Sequence, residues 1–229
     1  MKISFFGLDL PEGKTKYNDE IIIKLTEKFA PKKISPFFAE FKDGDFINAD
    51  CIIIAKEELL DFLIMDMEKV DNRIANTNDP AEKAALLKCQ KELEKEIPVC
   101  DINFTEDEYL KIKELAPLSF KPTLIIDGEV DINELIAQAF AKAGMMFFYT
   151  AGKDEVRSWA VKKGSDAVTC AGKIHSDLAR GFIKAEIVNF KDFETVHNMQ
   201  EAKTAGFVKL VDRDHIIEYG DMLEIRFNV

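Results

Sequence analysis

The chain has 229 residues, 47% of them apolar, which is enough for one large domain or two small ones with real cores. Its formal net charge of −11 argues against free association with bulk nucleic acid. Between residues 145 and 229, however, 12 Lys/Arg face 13 Asp/Glu, so the acidity lies upstream and a local basic face on the C-terminal part is permitted.

In chain order, the apolar run from Lys2 to Phe6, ending at Gly7, predicts a first strand. Ile21, Ile22, Ile23, Leu25 and Phe29 predict a buried helix over 20–29. Residues 34–41 read as extended, with Pro36 favouring an edge or a strand start. Asp43-Gly44-Asp45 is a turn signal, and 51–55 is a continuous β-type run. Leu60, Leu63, Met67, Val70 and Ile74 step by three and four, the seam of a heptad helix. Asn76 to Pro80 break that pattern. Asp79 suits an N-cap, Pro80 the first helical position and Glu82 a capping box, so a second helix runs to about Glu96. It stops before Pro98 and carries Leu86, Cys89 and Leu93 on one face. The short connection favours an antiparallel hairpin, and its pattern suits a pair packed on the body as well as a projecting coiled coil.

Further on, Thr105 leads a helix to Leu115 with Glu106, Asp107 and Glu108 in its first turn, where the helix dipole favours acids. Residues 121–127 read as a strand entered through Pro122, and 131–143 as an amphipathic helix ended by Gly144. From Phe147 the order is strand, strand, helix, strand and two final strands, a mixed sheet over one helix. The four cysteines (Cys51, Cys89, Cys100, Cys170) lack the close pairs that zinc and redox motifs need, so reduced and mostly buried thiols are expected. No run approaches the ~20 apolar residues of a membrane span, and the N-terminus does not read as a signal peptide. A soluble, cytoplasmic protein with no membrane and no DNA partner is the expectation.

One motif invites a nucleotide. Gly7, then five residues, then Gly13-Lys14-Thr15 follow the first strand. A Walker A loop needs four residues between its glycines so that successive N–H groups converge on phosphates. Here Pro11 lacks an N–H, Asp9 and Glu12 put negative charge beside the proposed anion, and Lys16 to Asp19 make a poor helix start. Gly7, Gly13, Lys14 and Thr15 are the candidate nucleotide residues, with ATP or GTP and Mg²⁺ as the ligands if that reading holds and no cofactor otherwise.

In the C-terminal third, residues 171–187 read as a helix end, a glycine stop at Gly181 and a strand. With residues 148–152, 155–159 and 220–228, this stretch resembles the TGS domain that closes the YchF-type Obg-like ATPases. Residues 50–73, 115–126, 31–34 and 39–41 are similar to that family more loosely. The resemblance implies a small β-grasp, ubiquitin-like domain associated with RNA and the ribosome, behind a nucleotide-binding domain. It also implies a switch aspartate followed three residues later by glycine, where this chain has Asp43-Gly44-Asp45-Phe46, and a base-reading asparagine, where it has Ile126-Asp127-Gly128-Glu129. An intact member is longer, which points to missing segments of the nucleotide domain. The family's basic, glycine-containing turn before the penultimate strand is replaced here by Lys209 to Asp214, with two acids.

The expected fold class is α/β plus α+β. A remnant P-loop-type α/β domain would occupy residues 1–56 and 98–144, with an inserted helical hairpin at 57–97 and a TGS-like β-grasp domain at 145–229. Arg157, Lys162, Lys163, Lys173, His175, Arg180 and Lys184 are the candidate contacts to RNA or a protein partner, while Trp159 and Phe182 read as core. A lone histidine such as His175 near a helix end reads as a cap more than as a catalyst. The leading expectation is a non-enzymatic module docking to RNA, the ribosome or a protein. The alternatives are a reduced Mg-dependent ATPase or GTPase, and a structural partner acting through the helical pair.

Overall fold

The computed structural model describes residues 1–228. The strands are β1 (Lys2–Phe6), β2 (Gly13–Lys16), β3 (Lys33–Ser35), β4 (Phe38–Asp43), β5 (Cys51–Ala55), β6 (Thr123–Ile126), β7 (Met145–Ala151), β8 (Glu155–Lys162), β9 (Phe182–Asn189), β10 (Lys209–Val211) and β11 (Asp221–Phe227). The helices are α1 (Glu20–Phe29), α2 (Leu59–Asn76), α3 (Pro80–Leu93), α4 (Glu106–Leu115), α5 (Ile132–Lys142), α6 (Ala167–Ile174), α7 (Ser176–Arg180), α8 (Phe190–Phe193) and α9 (Met199–Thr204). They form two compact units, one built from residues 1–15 and 39–143, the other from residues 16–38 and those from 144 on.

The first unit holds a five-stranded sheet in the order β2-β4-β1-β5-β6. β4, β1, β5 and β6 run parallel. Such strands are covered on both faces, which is why all of Cys51–Ala55 is buried. On one face Ile52 and Ile54 join Phe62, Leu63, Val70, Ala85, Leu86, Cys89, Leu93 and Ile112 in one apolar cluster. The α2–α3 pair is therefore packed on the sheet and on α4 rather than standing free. α5 lies against β5 and β6 through a stripe that buries Leu135, Ile136, Ala139 and Phe140.

Two local expectations are corrected in this unit. The seam of α2 holds at Leu63, Met67, Val70 and Ile74, which pack into the cluster, but at its start Leu60 is 47% exposed while Leu59 and Phe62 are buried. A heptad reading places the stripe by spacing alone, and the sheet beneath draws in flanking positions. Glu82 makes no capping box, because its carboxylate goes to Arg73 Nε at 2.7 Å and to the Thr77 hydroxyl. The reciprocal box appears instead at α4, between Thr105 and Glu108.

The second unit holds a six-stranded sheet in the order β10-β9-β11-β7-β8-β3. β7 pairs antiparallel with β8, and β9 pairs antiparallel with β11. β11 and β7 meet in parallel at the centre. One face carries α6 and α7 over Met146, Phe148, Trp159, Phe182, Ala185, Ile187 and Leu223. Strand alternation turns Phe147 and Tyr149 to the other face. There Tyr17 stacks on Phe147 at 5.7 Å, Phe37 meets its edge at 5.1 Å, and α1 buries Ile21, Ile22 and Leu25.

The first unit does not contain residues 16–38, against the expected 1–56 piece. β3 pairs in parallel with β8. The Asp19 carboxylate caps α1 and accepts the Tyr149 hydroxyl at 2.6 Å. An amphipathic helix goes where its apolar stripe finds an apolar sheet face, and chain order does not say which sheet that is. The extended reading of 34–41 is likewise split at Pro36 between β3 and β4, which belong to different sheets.

Candidate functional site

After β1 the chain leaves at Gly7, whose φ is +72°. A Cβ there would lie 2.3 Å from Glu58 Cγ and 3.1 Å from the Ala55 Cβ, so the glycine serves a close approach to the turn after β5. Gly13, Lys14 and Thr15 lie in β2, at the edge of the sheet. That corrects the loop reading of this segment. In an extended strand successive N–H groups point to opposite sides, so they do not converge on one anion. β4 stands between β2 and β1, which puts the strand of Lys14 about 10 Å from the strand that ends at Gly7. No helix of the first unit follows β2, since the next helix, α1, belongs to the second unit. The partial positive charge that a helix N-terminus lends to a phosphate is missing at Thr15. Gly7, Gly13, Lys14 and Thr15 are thus not brought together as a cradle.

Ligands of open parallel sheets sit beyond the carboxyl ends of the strands. At that edge β4 ends in Asp43, β5 leads into Lys56, Glu57 and Glu58, and β6 leads into Asp127 and Gly128. Lys56 pairs with Asp127, both more than half exposed, a contact that water screens strongly. Three further carboxylates at this edge set a negative potential where a triphosphate would need a positive one.

The seven cations predicted in the second unit do not form one face. Lys173, His175 and Arg180 are exposed around α6 and α7. His175 acts as the cap its position suggests: its Nδ1 accepts the Asp177 N–H at 3.2 Å. Arg180 pairs with Asp177 at 2.9 Å. Lys162 and Lys163 lie where β8 ends, before α6. Arg157 stacks its guanidinium 3.8 Å from the Trp159 ring centroid, and Lys184 pairs with Asp212 from β9. β9 is three strands from β8, a separation of about 14 Å. Trp159, 9% exposed, gives its Nε1–H to Thr150 Oγ1 at 2.9 Å, and Phe182 is 6% exposed. Both are core, as read from the sequence, so neither ring is free to stack on a base.

Two residues were missed. Arg213 is exposed and sits 5.9 Å from the Phe182 ring, beside the start of α6, where its carbonyl accepts the Val168 N–H. Its flanking Asp212 and Asp214 had hidden it as an acidic turn. Glu186 is buried between Lys203, at 2.8 Å, and Arg226. The Lys203 hydrogen bond, with that of Arg226, outweighs burial and holds its carboxyl below the usual carboxylate range. Among the described residues no group of three or more His, Cys, Asp or Glu is placed to hold a metal ion.

Residues 145–228 match a family model, the YchF-GTPase C-terminal domain, described as a protein of unknown function. Curated relatives carry the likeness upstream. "Ribosome-binding ATPase YchF" of Mycoplasma genitalium is 34% identical over 164 residues, covering 72% of this chain and 43% of that protein. The Bacillus subtilis protein of the same name is 27% identical over 237 residues, covering 74% and 65%.

The chain carries a YchF-type C-terminal domain.

It spans less than two thirds of either bacterial YchF relative. Human Obg-like ATPase 1 is 39% identical over a shorter stretch of 97 residues, 42% of this chain and 24% of that protein. The structure of the Schizosaccharomyces pombe YchF GTPase superposes with a TM-score of 0.78 at 18% identity, over 96% of this chain and 88% of that one. That likeness shows the mixed α/β fold. Like the sequence, the described residues of this chain contain no helix long and apolar enough to cross a membrane.

Proposed function

We propose that this chain is a YchF-type docking protein whose contact with the ribosome runs through its C-terminal unit, without nucleotide hydrolysis. The observation that carries this reading is β2: Gly13, Lys14 and Thr15 are strand residues at a sheet edge, with no helix N-terminus behind them. The names of the bacterial relatives supply the ribosome. The order β8-β7-β11-β9-β10, with the first and last of these strands in chain order parallel at its centre, supports a TGS-like β-grasp module. In this unit α1 covers one sheet face and β3 covers the β8 edge. The exposed cations around α6 and α7, Lys173 and Arg213 with Arg180 paired to Asp177, are the contacts proposed for RNA phosphates.

The second reading is a nucleotide-binding protein with Mg²⁺. The relatives' names, ATPase and GTPase, favour it, as does the retention of Lys14 and Thr15. Two measurements separate them. Co-sedimentation with purified ribosomes is expected, weakening as salt rises and on Lys173→Glu with Arg213→Glu. Melting with Mg·ATP or Mg·GTP is expected to show no shift, whereas a ligand at a hundred times its Kd adds about 2.7 kcal/mol to stability. A rise in Tm removed by Lys14→Ala would establish the second reading and end the first.

A further inference from the structure

We propose that a cavity in the first unit, beside Tyr109, binds a planar nitrogen heterocycle of nucleobase size that presents a hydrogen-bond acceptor next to an N–H donor. The site is independent of the ribosome-docking reading and lies away from Lys14. It occupies about 390 Å³ between the 3₁₀ turns Val99–Asp101 and Leu118–Phe120, the start of α4 and the end of α5. That volume falls within the range of small-molecule sites, about 300–1,000 Å³.

Aromatic rings and two charged side chains share its lining. Tyr109 and Phe120 stand with ring centroids 5.0 Å apart and planes inclined at 44°, and Tyr109 is 45% exposed. The Lys88 ammonium lies 5.3 Å from the Phe104 centroid, so the half-exposed Tyr109 ring is the surface on which a base would stack. At the same cavity Lys142 Nζ lies 2.5 Å from Asp101 Oδ1. This pair sets one cationic donor beside one anionic acceptor. A neutral edge with an acceptor beside an N–H satisfies both at once, taking a hydrogen bond from Lys142 and giving one to Asp101. Uracil and guanine offer such an edge as a carbonyl beside a ring N–H, cytosine and adenine as a ring nitrogen beside an amino group. The base could come from a free nucleotide or from an unpaired position in RNA.

The test uses the full chain and saturation-transfer NMR with UMP, GMP, CMP and AMP, with ribose 5-phosphate as control. Saturation on the base protons of all four nucleotides is expected. Tyr109→Ala should weaken UMP by about tenfold or more, equivalent to 1.4 kcal/mol, while Tyr109→Phe should retain it. Lys142→Met should weaken UMP as well, and Lys14→Ala should change nothing. Circular dichroism confirms that each variant is folded. Labelled oligouridine assigns the source: binding that UMP competes and Tyr109→Ala weakens points to RNA, and UMP binding without oligouridine binding points to the free nucleotide. The proposal is overturned if no base proton is saturated and oligouridine binding ignores Tyr109→Ala, if ribose 5-phosphate binds equally well, or if Tyr109→Ala leaves UMP binding intact.

Discussion

Replacement of Asp66 by alanine should cost this protein a large share of the stability of its first unit. Asp66 sits on the buried face of α2 with 1% of its surface exposed. One carboxylate oxygen accepts the Leu118 N–H at 2.6 Å and the other accepts the Ser119 N–H at 2.8 Å. Those amides open a 3₁₀ turn whose N-cap residue, Pro117, offers no side-chain acceptor of its own. Truncation leaves two donors without their acceptor in a site where Ser119 is fully buried. Each such loss costs about 1–3 kcal/mol, partly offset because the carboxylate no longer has to be desolvated. We therefore expect Asp66→Ala to lower unfolding free energy by about 3 kcal/mol, against a typical total of about 5–15 kcal/mol. Asp66→Asn, which keeps one acceptor, should lose about half of that. Urea unfolding followed by far-UV circular dichroism measures both, with the exposed Asp61→Ala on the same helix as control. Native-state hydrogen exchange at Ser119 should accelerate in step. A loss no larger than that of Asp61→Ala, with Ser119 protection unchanged, refutes the assignment of Asp66 as the anchor of this turn.

Further outcomes follow from the titrating groups of the second unit. Asp19 is 2% exposed, and burial, resisted by its hydrogen bonds to Tyr149 and the α1 backbone, raises its pKa above the ordinary 3.8. A raised carboxyl stabilises the fold at pH below 3.8, and that contribution is lost as pH rises through the folded-state value. Asp19→Asn should therefore flatten the fall in stability measured above pH 3.8. Glu186 carries the opposite sign: its lowered pKa contributes stability above the ordinary 4.5 that disappears as pH falls through the folded-state value. Glu186→Gln should remove that acid-side slope in the same urea titrations. For the thiols, burial pushes Cys51, Cys89 and Cys170 up to about 12 and raises Cys100 as well. Iodoacetamide at neutral pH should leave Cys51, Cys89 and Cys170 unmodified in the native protein and label all four after denaturation, as read by mass spectrometry.

Local elements were legible in the residues because their causes are local. The stripe of α1, the Asp79 cap, the apolar run of β5 and the glycine stop at Gly144 each act within a few residues, and each element stands where those signals put it. The candidate site was legible only in its departures from a phosphate loop: the spacing, Pro11 and the acids spoke against a cradle, but nothing in them announced that Gly13 to Lys16 would become a strand. That outcome depends on β4 lying alongside, a partner distant in sequence. The same holds for Asp66, whose buried carboxylate is satisfied by two amides of a turn more than fifty residues away.

By itself, then, the sequence determined most of the helices and strands, though not β2 or the short helices α7 to α9, together with the core placement of Trp159 and Phe182 and the family likeness carried by residues 145–228. Only the tertiary structure decided the partners. It assigned α1 and β3 to the second sheet, turned Leu60 out and Leu59 and Phe62 in at the start of α2, and scattered the seven cations over separate strands and turns. The physical reason is that propensity and periodicity act through neighbours in the chain. An apolar stripe or an edge strand is indifferent to which complementary surface it buries against, and that choice is made by packing between segments far apart in sequence.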